Sequence, residues 1–153
     1  MNIKIYGFVA ILLLIAACAS AQTNAIKFNL VQGPDGRPLG KINAIAQDAN
    51  GYIWLAGQGE KCLYRYDGTR WTVYRNDLSN PATMGVTYVE TICIDLQGNI
   101  WIGGEGLDRF NPNTGVFEHF HEFAIDPTKA TSNFVGALLA DSKGRICIGT
   151  NGL

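Results

Sequence analysis

The sequence has little excess charge and few of the residues that mark catalytic or metal centres. It carries 12 Lys and Arg against 13 Asp and Glu, and only 2 His. A balance so close to neutral excludes a basic nucleic-acid-binding arm and a polybasic membrane patch. Charged residues make up 16% and apolar residues 47% of the chain, which excludes a disordered tail. The 18 glycines against 5 prolines favour many tight turns over long helices.

Cysteine is also scarce, and its spacing does not fit a disulfide framework. The 4 cysteines include no CxxC pair, and Cys18 belongs to the N-terminal segment, which leaves an odd number. We expect Cys93 and Cys147 to be small buried side chains. Cys62 lies in a local insertion, where it can be exposed.

Long hydrophobic runs are absent except at the N terminus. Residues 5–17 form an uncharged run behind Lys4. A helix needs about 20 residues to cross a hydrocarbon core of about 30 Å, so this run is too short to span a membrane. Its length is that of a signal-peptide hydrophobic region. We therefore predict that residues 1–21 are a signal peptide and that the rest of the chain is exported to the periplasm or cell surface.

Two processing sites overlap in this segment, and the sequence leaves both open. Ala19-Ser20-Ala21 offers the small residues that a signal peptidase reads, with Gln22 as the new first residue. Ile15-Ala16-Ala17-Cys18 resembles a bacterial lipobox, which implies a lipidated Cys18. An uncleaved buried helix is the remaining alternative.

What the chain does contain is a repeat of itself. Each copy has a Val- or Ile-rich segment, an Asp-x-x-Gly step and a second apolar segment. The aspartates are Asp48, Asp95 and Asp141, which lie 47 and 46 residues apart. The matching glycines are Gly51, Gly98 and Gly144. A period of this length is typical of a solenoid or a propeller.

The Asp-x-x-Gly step predicts a tight hairpin in each copy. Asp at the first turn position accepts backbone N–H groups, and Gly at the fourth can take a positive φ. Turn signals then separate a third and a fourth strand in the first two copies. The predicted strands are 42–47, 52–56, 63–66 and 71–74 in the first copy, and 90–94, 99–103, 107–110 and 116–120 in the second. Residues 26–31 are predicted as a further outer strand.

Four short antiparallel strands per period make one propeller blade. A two-layer sandwich does not predict this period, and helical repeats need apolar stripes that the sequence lacks. The fold class is therefore all-β, an incomplete β-propeller of about two and a half four-stranded blades after the signal segment. We divide the chain into the signal peptide 1–21, a leading strand and linker 22–41, blade 1 over 42–88, blade 2 over 89–134 and a partial blade 3 over 135–153.

These motifs resemble the two-component regulator propeller repeat. The resemblance is carried by Gly51-Tyr-Ile-Trp54-Leu-Ala with Leu63-Tyr-Arg-Tyr66-Asp67-Gly68, by Gly98-Asn-Ile-Trp101-Ile-Gly-Gly with Gly106-Leu107-Asp-Arg-Phe110-Asn, and by Gly144-Arg-Ile-Cys147-Ile-Gly149. It implies a propeller in the periplasmic sensor part of a hybrid histidine kinase of Bacteroidota type, truncated here, and a response to saccharides. The partners it implies are an oligosaccharide, the remaining blades and a kinase part. Cys147 at the tryptophan position and the insertion in the first copy depart from the pattern.

No side-chain cluster in the sequence predicts catalysis, a cofactor or a metal, so the chain is expected to be no enzyme in itself. Trp54 and Trp101 are expected to pack between blades rather than to stack on a sugar. The three repeated aspartates are explained by their turns, and His119 and His121 share a strand face without a third ligand. Ligand contacts are expected in the long inter-blade connections, where loops on a rigid scaffold carry function. Residues of suitable chemistry there are Asn76, Asn80, Tyr88, Asn133 and Phe134, but the sequence assigns none of them as a ligand-binding residue.

Two functions remain open. The first is an extracytoplasmic ligand-sensing propeller fragment of a two-component regulatory system. The alternative is a secreted or lipid-anchored binding propeller without a kinase, which the lipobox at Cys18 favours. An enzyme is a weaker third reading, because no nucleophile lies beside a base.

Overall fold

A computed structural model describes residues 26–57, 62–120 and 134–150. The signal segment with Cys18, His121, Asn133 and the end of the chain at 151–153 lie outside these residues, as does the insertion at 58–61. The chain divides into two units, residues 1–30 and 31–153. In the first unit the described residues, 26–30, form no strand.

Over its described residues, the second unit contains ten strands and no helix. Blade 1 consists of β1 Ile42–Gln47, β2 Ile53–Gly57, β3 Cys62–Tyr66 and β4 Trp71–Arg75. Blade 2 consists of β5 Val89–Ile94, β6 Ile100–Gly104, β7 Gly106–Asn111 and β8 Val116–Phe120. The partial blade 3 consists of β9 Val135–Ala140 and β10 Ile146–Thr150.

Each blade is an antiparallel meander in chain order. Blade 1 has the order β1-β2-β3-β4, blade 2 the order β5-β6-β7-β8, and β9 pairs with β10. The predicted all-β class and the four-stranded repeat unit are confirmed, and every predicted strand within the repeats matches to within one residue. These strands could be located because the same turn chemistry recurs at one period.

The first strands of successive blades lie side by side. β1 contacts β5, and β5 contacts β9. The Asn43 side-chain amide donates to the Val89 carbonyl at 3.0 Å and to a Glu90 carboxylate oxygen at 3.1 Å. A register shift at the start of β1 and of β5 gives each inner strand the same irregularity. The repeat therefore gives successive sheets the same strand order, and it places the first strand of each sheet beside the first strand of the next.

The hydrophobic core lies mainly between blades 1 and 2. Trp54 and Leu63 come from one sheet, Ile100 and Phe110 from the other, and all are at most 1% exposed. Met84 from the connection 76–88 joins this core with no exposed surface. Because a strand turns alternate side chains to opposite faces, blade 1 contributes the face that carries Trp54 to this core, and blade 2 the face opposite Trp101.

The predicted outer strand over residues 26–31 is wrong: the structure has no strand there. A single strand is held by hydrogen bonds to a neighbour. The prediction assumed that residues 26–31 pair with the last blade of a closed ring. None of the ten described strands belongs to such a blade.

Candidate functional site

The repeated aspartates act in the hairpin turns. Asp48 Oδ1 accepts the backbone N–H groups of Asn50 and Tyr52, and its Oδ2 accepts the Trp54 indole N–H at 2.9 Å. Asp95 repeats this pattern, with the Trp101 indole N–H also at 2.9 Å. The turn glycines all have a positive φ, between 80° and 87°. The predicted turn role is therefore confirmed, and the carboxylates are already occupied by donors.

The third turn replaces the indole with an arginine. Asp141 Oδ1 accepts the N–H groups of Lys143 and Arg145, and its Oδ2 accepts the Arg145 Nε–H at 2.6 Å. These bonds from Arg145 lower the pKa of Asp141. Arg145 thus fills the donor position that Cys147 leaves empty, so the turn survives the loss of the tryptophan.

Trp54 confirms the expected packing between blades. Its ring stacks on Tyr74 of the same sheet at 5.9 Å and meets the edge of Phe110 from blade 2 at 6.0 Å. The Arg65 guanidinium lies 5.8 Å from the ring. A fully buried indole with these neighbours has no face for a sugar.

Trp101 has the same surroundings within its own sheet. It stacks on Phe120 at 5.5 Å and lies 5.7 Å from the Arg109 guanidinium, which in turn pairs with Glu118. It is only half-buried. Trp54 is covered by Phe110 of the next blade. Among the described residues, no aromatic ring of blade 3 covers Trp101 in the same way.

The structure departs from the expectations for two cysteines, because Cys62 is buried and Cys147 is exposed. Cys62 is the first residue of β3 and is 1% exposed, because the strand begins one residue earlier than predicted. Cys147 is exposed, since no described strand covers its face of β10. Cys93 is partly buried, and burial together with Asp95 raises its pKa to about 11. A thiol of this kind is a poor nucleophile at neutral pH.

The connection 76–88 carries blade 1 into blade 2 and is held by its own polar groups. The Asn76 side-chain amide donates to the Met84 carbonyl at 2.7 Å. Asn80 Oδ1 accepts the Ala82 N–H at 3.1 Å, and its carbonyl accepts the Thr83 hydroxyl at 2.8 Å. Asn76 and Asn80, two of the residues of suitable chemistry for a ligand, therefore serve to shape the loop.

A buried carboxylate holds the far half of this connection. Asp108 on β7 is 2% exposed, and its Oδ2 accepts the N–H groups of Gly85 at 2.6 Å and Val86 at 3.1 Å. Its Oδ1 lies 2.7 Å from His119 Nδ1, and His119 Nε2 lies 2.9 Å from the Pro81 carbonyl oxygen. We call these five residues the His119 clamp. His119 thus has a structural partner in Asp108.

Sequence reasoning missed the clamp. The matching positions in blade 1 are Tyr64 and Val73, so the repeat gave no sign of it. The available signal was Asp108 itself, a charged residue in the middle of β7. Side chains alternate between the two faces of a strand, so Asp108 lies on the same face as the core residue Phe110. Across the part of the chain that the structure describes, no three His, Cys, Asp or Glu side chains come together as metal ligands. Nor do these residues contain a helix of membrane-spanning length and hydropathy.

Two of the aromatic residues that the sequence places in the inter-blade connections do come together. Tyr88 directly precedes β5 and Phe134 directly precedes β9, and their ring centroids lie 6.0 Å apart. Both side chains are half-buried. Glu105 in the β6–β7 turn bridges to the Phe134 backbone, and its carboxylate accepts the Thr87 hydroxyl at 2.9 Å. These four residues form what we call the Tyr88–Phe134 platform, at the end of blade 2 opposite the Asp95 turn.

Comparison with known proteins supports the propeller. Residues 36–59 match the sequence model of the family described as Two component regulator propeller, and this segment contains β1, the Asp48 turn and β2. This segment is thus similar to a repeat of that family, as the resemblance indicated. No curated protein matches the chain.

Solved structures with the same fold come from B. thetaiotaomicron. The extracellular domain of the hybrid two component system BT3049 has a TM-score of 0.57 and 24% identity, covering 70% of this chain and 15% of that one. Two structures of the extracellular domain of BT4673 have TM-scores of 0.58 and 0.57 at 20% identity, covering 82% and 81% of this chain. The chain spans less than a fifth of the length of these domains. At these identities the likeness establishes the fold, an incomplete β-propeller.

Proposed function

We propose that the chain is part of an extracytoplasmic ligand-sensing propeller of a two-component regulatory system. It binds a saccharide at the connections between its blades and is non-catalytic in itself. Its partners are then the oligosaccharide, further blades and a kinase part of the same protein. The similar domains of BT3049 and BT4673, which are extracellular, support the location and the class. The predicted signal peptide over residues 1–21 supports export.

The observation that carries the ligand site is the Tyr88–Phe134 platform. Two half-exposed rings from corresponding positions of successive blades offer apolar faces to the C–H groups of a sugar. The exposed Glu105 carboxylate beside them can accept sugar hydroxyl groups. A few polar groups around an aromatic surface are the usual composition of a small-molecule site.

The platform also suggests how binding is transmitted. Tyr88 precedes the inner strand of blade 2, and Phe134 precedes that of blade 3. A ligand that touches both rings therefore favours one spacing of the two inner strands. Binding can shift an equilibrium only through such a difference in contacts between states.

The test is binding of neutral and anionic oligosaccharides by the exported chain, measured by isothermal titration calorimetry against a defined panel. We expect Tyr88→Ala and Phe134→Ala each to weaken binding roughly tenfold, equivalent to about 1.4 kcal/mol. Tyr52→Ala is the control, because Tyr52 lies in the Asp48 turn at the other end of blade 1. If both platform variants bind like the wild type while retaining the fold, the ligand site lies elsewhere.

A second candidate function is a lipid-anchored binding propeller without a kinase. The lipobox Ile15-Ala16-Ala17-Cys18 favours it. Incorporation of a radioactive fatty acid that disappears in Cys18→Ser supports the anchor, and no incorporation removes it. The codons that follow residue 153 separate the two functions, since a transmembrane helix and kinase motifs belong only to the sensor.

A further inference from the structure

The His119 clamp ties the connection 76–88 to blade 2 through groups that are far apart in sequence. Pro81, Gly85 and Val86 belong to the connection, while Asp108 and His119 stand on β7 and β8. A Cβ on Gly85 would lie 2.8 Å from His119 Nδ1, so only glycine lets the connection come this close. The connection is thus fastened at a defined place rather than merely lying over the sheet.

Both ring nitrogens of His119 face oxygen acceptors. A peptide carbonyl cannot donate, so Nε2 must carry a proton to bond with Pro81. Asp108 Oδ2 already accepts two N–H groups, and Oδ1 faces Nδ1 at 2.7 Å. Only the imidazolium has both N–H groups. In neutral imidazole, one nitrogen would point a lone pair at an oxygen.

The protonation of His119 agrees with its surroundings. Burial lowers the pKa of His119, but the hydrogen bonds to Asp108 and the Pro81 carbonyl outweigh burial, and the pKa is raised above its ordinary value. The other acid near it in the connection is Asp77, which lines the same cavity of about 220 Å³. The Ser79 hydroxyl and N–H lower the pKa of Asp77, so Asp77 stays charged where histidine titrates. On β8 itself, Glu118 is paired with Arg109 on the opposite face.

We propose that the His119 clamp is a proton-operated latch on the connection between blades 1 and 2. Below the ordinary histidine pKa of about 6.5, the imidazolium holds Pro81 and Asp108, and the connection is closed. As the pH rises through the raised pKa of the folded state, the proton leaves and one of the two bonds is lost. The connection then opens at its Pro81–Val86 half. This proposal does not depend on the saccharide.

Hydrogen exchange of the ligand-free exported chain tests the latch. We compare the Gly85 and Val86 amides at about pH 5.5 and about pH 8.5, on either side of the histidine range, after correction for intrinsic exchange. Their protection should fall roughly tenfold at the higher pH, the loss expected when a charge-assisted hydrogen bond is broken. The Gln97 and Asn99 amides also donate to an aspartate, Asp95, but no histidine within the described ranges faces them, so their protection should not change.

Three variants assign the effect. His119→Gln cannot be protonated and should remove the pH dependence, whereas His121→Gln, which changes the other of the 2 histidines, should leave it intact. Asp108→Asn should keep the connection protected at both pH values. Its amide can donate to neutral Nδ1 while its oxygen still accepts Gly85 and Val86. Equal protection of the wild type at both pH values, or a pH effect that survives in His119→Gln, overturns the proposal.

Discussion

Replacement of Trp54 by alanine should lower the free energy of unfolding by about 3–5 kcal/mol, the usual cost of deleting a buried aromatic side chain. The indole has no exposed surface and packs on Tyr74 and Phe110 from two different blades. Its N–H is also a donor to Asp48. The substitution therefore weakens both the Asp48 turn and the packing between blades. Equilibrium denaturation in urea measures the loss.

Two variants separate these contributions. Trp54→Phe keeps an aromatic ring but leaves Asp48 Oδ2 without its indole donor, and should cost about 1–3 kcal/mol. Leu78→Ala removes a side chain that is 94% exposed, and should change the stability by less than about 0.5 kcal/mol. If Trp54→Ala is no more harmful than Leu78→Ala, the blades do not pack as described.

The second large effect is expected at Gly104, where two backbone segments cross. A Cβ on Gly104 would lie 1.7 Å from the Tyr88 carbonyl oxygen and 2.8 Å from its carbonyl carbon. Backbone atoms cannot swing aside as a side chain does, so Gly104→Ala should cost about 3 kcal/mol or more. It should also displace Tyr88 and so weaken saccharide binding. Gly57 has the same close contact with Lys41, which marks the contact as a feature of the repeat.

Gly136→Ala is the matched control for that substitution. It lies on β9, and the nearest atom to its added Cβ is Phe134 Cε1 at 3.9 Å, an ordinary contact. We expect a change in stability below about 0.5 kcal/mol. Thermal denaturation of the two variants side by side gives the comparison. Similar losses for both would contradict the close backbone approach at Gly104.

The blades could be predicted because the residues that determine their hairpins are close together in the sequence and recur in each copy. An Asp accepting turn N–H groups, a Gly at positive φ and alternating apolar residues recur at each copy, and they fix the hairpins around Asp48 and Asp95. The same reasoning failed for residues 26–31, because an isolated strand has β structure only when another segment pairs with it. It failed for Cys147 as well, because burial there depends on what covers the face and not on the strand itself.

The candidate site could be predicted only in part. The sequence pointed to the inter-blade connections, and it named Tyr88 and Phe134, which prove to be neighbours. It could not tell these from Asn76, whose amide is turned inward to a carbonyl of its own loop. The clamp escaped entirely, because Asp108 and His119 meet Pro81 and Gly85 through a connection that has no repeated pattern.

The most direct test of the account is a nuclear Overhauser measurement on the Trp54 indole. The central claim is that each repeat folds into its own sheet and that successive sheets pack face to face through this side chain. The account predicts cross-peaks from the indole protons to the ring protons of both Tyr74 and Phe110, whose centroids lie 5.9 Å and 6.0 Å away. Cross-peaks to Tyr74 without any to Phe110, or a pattern of helical contacts around Trp54, would contradict it.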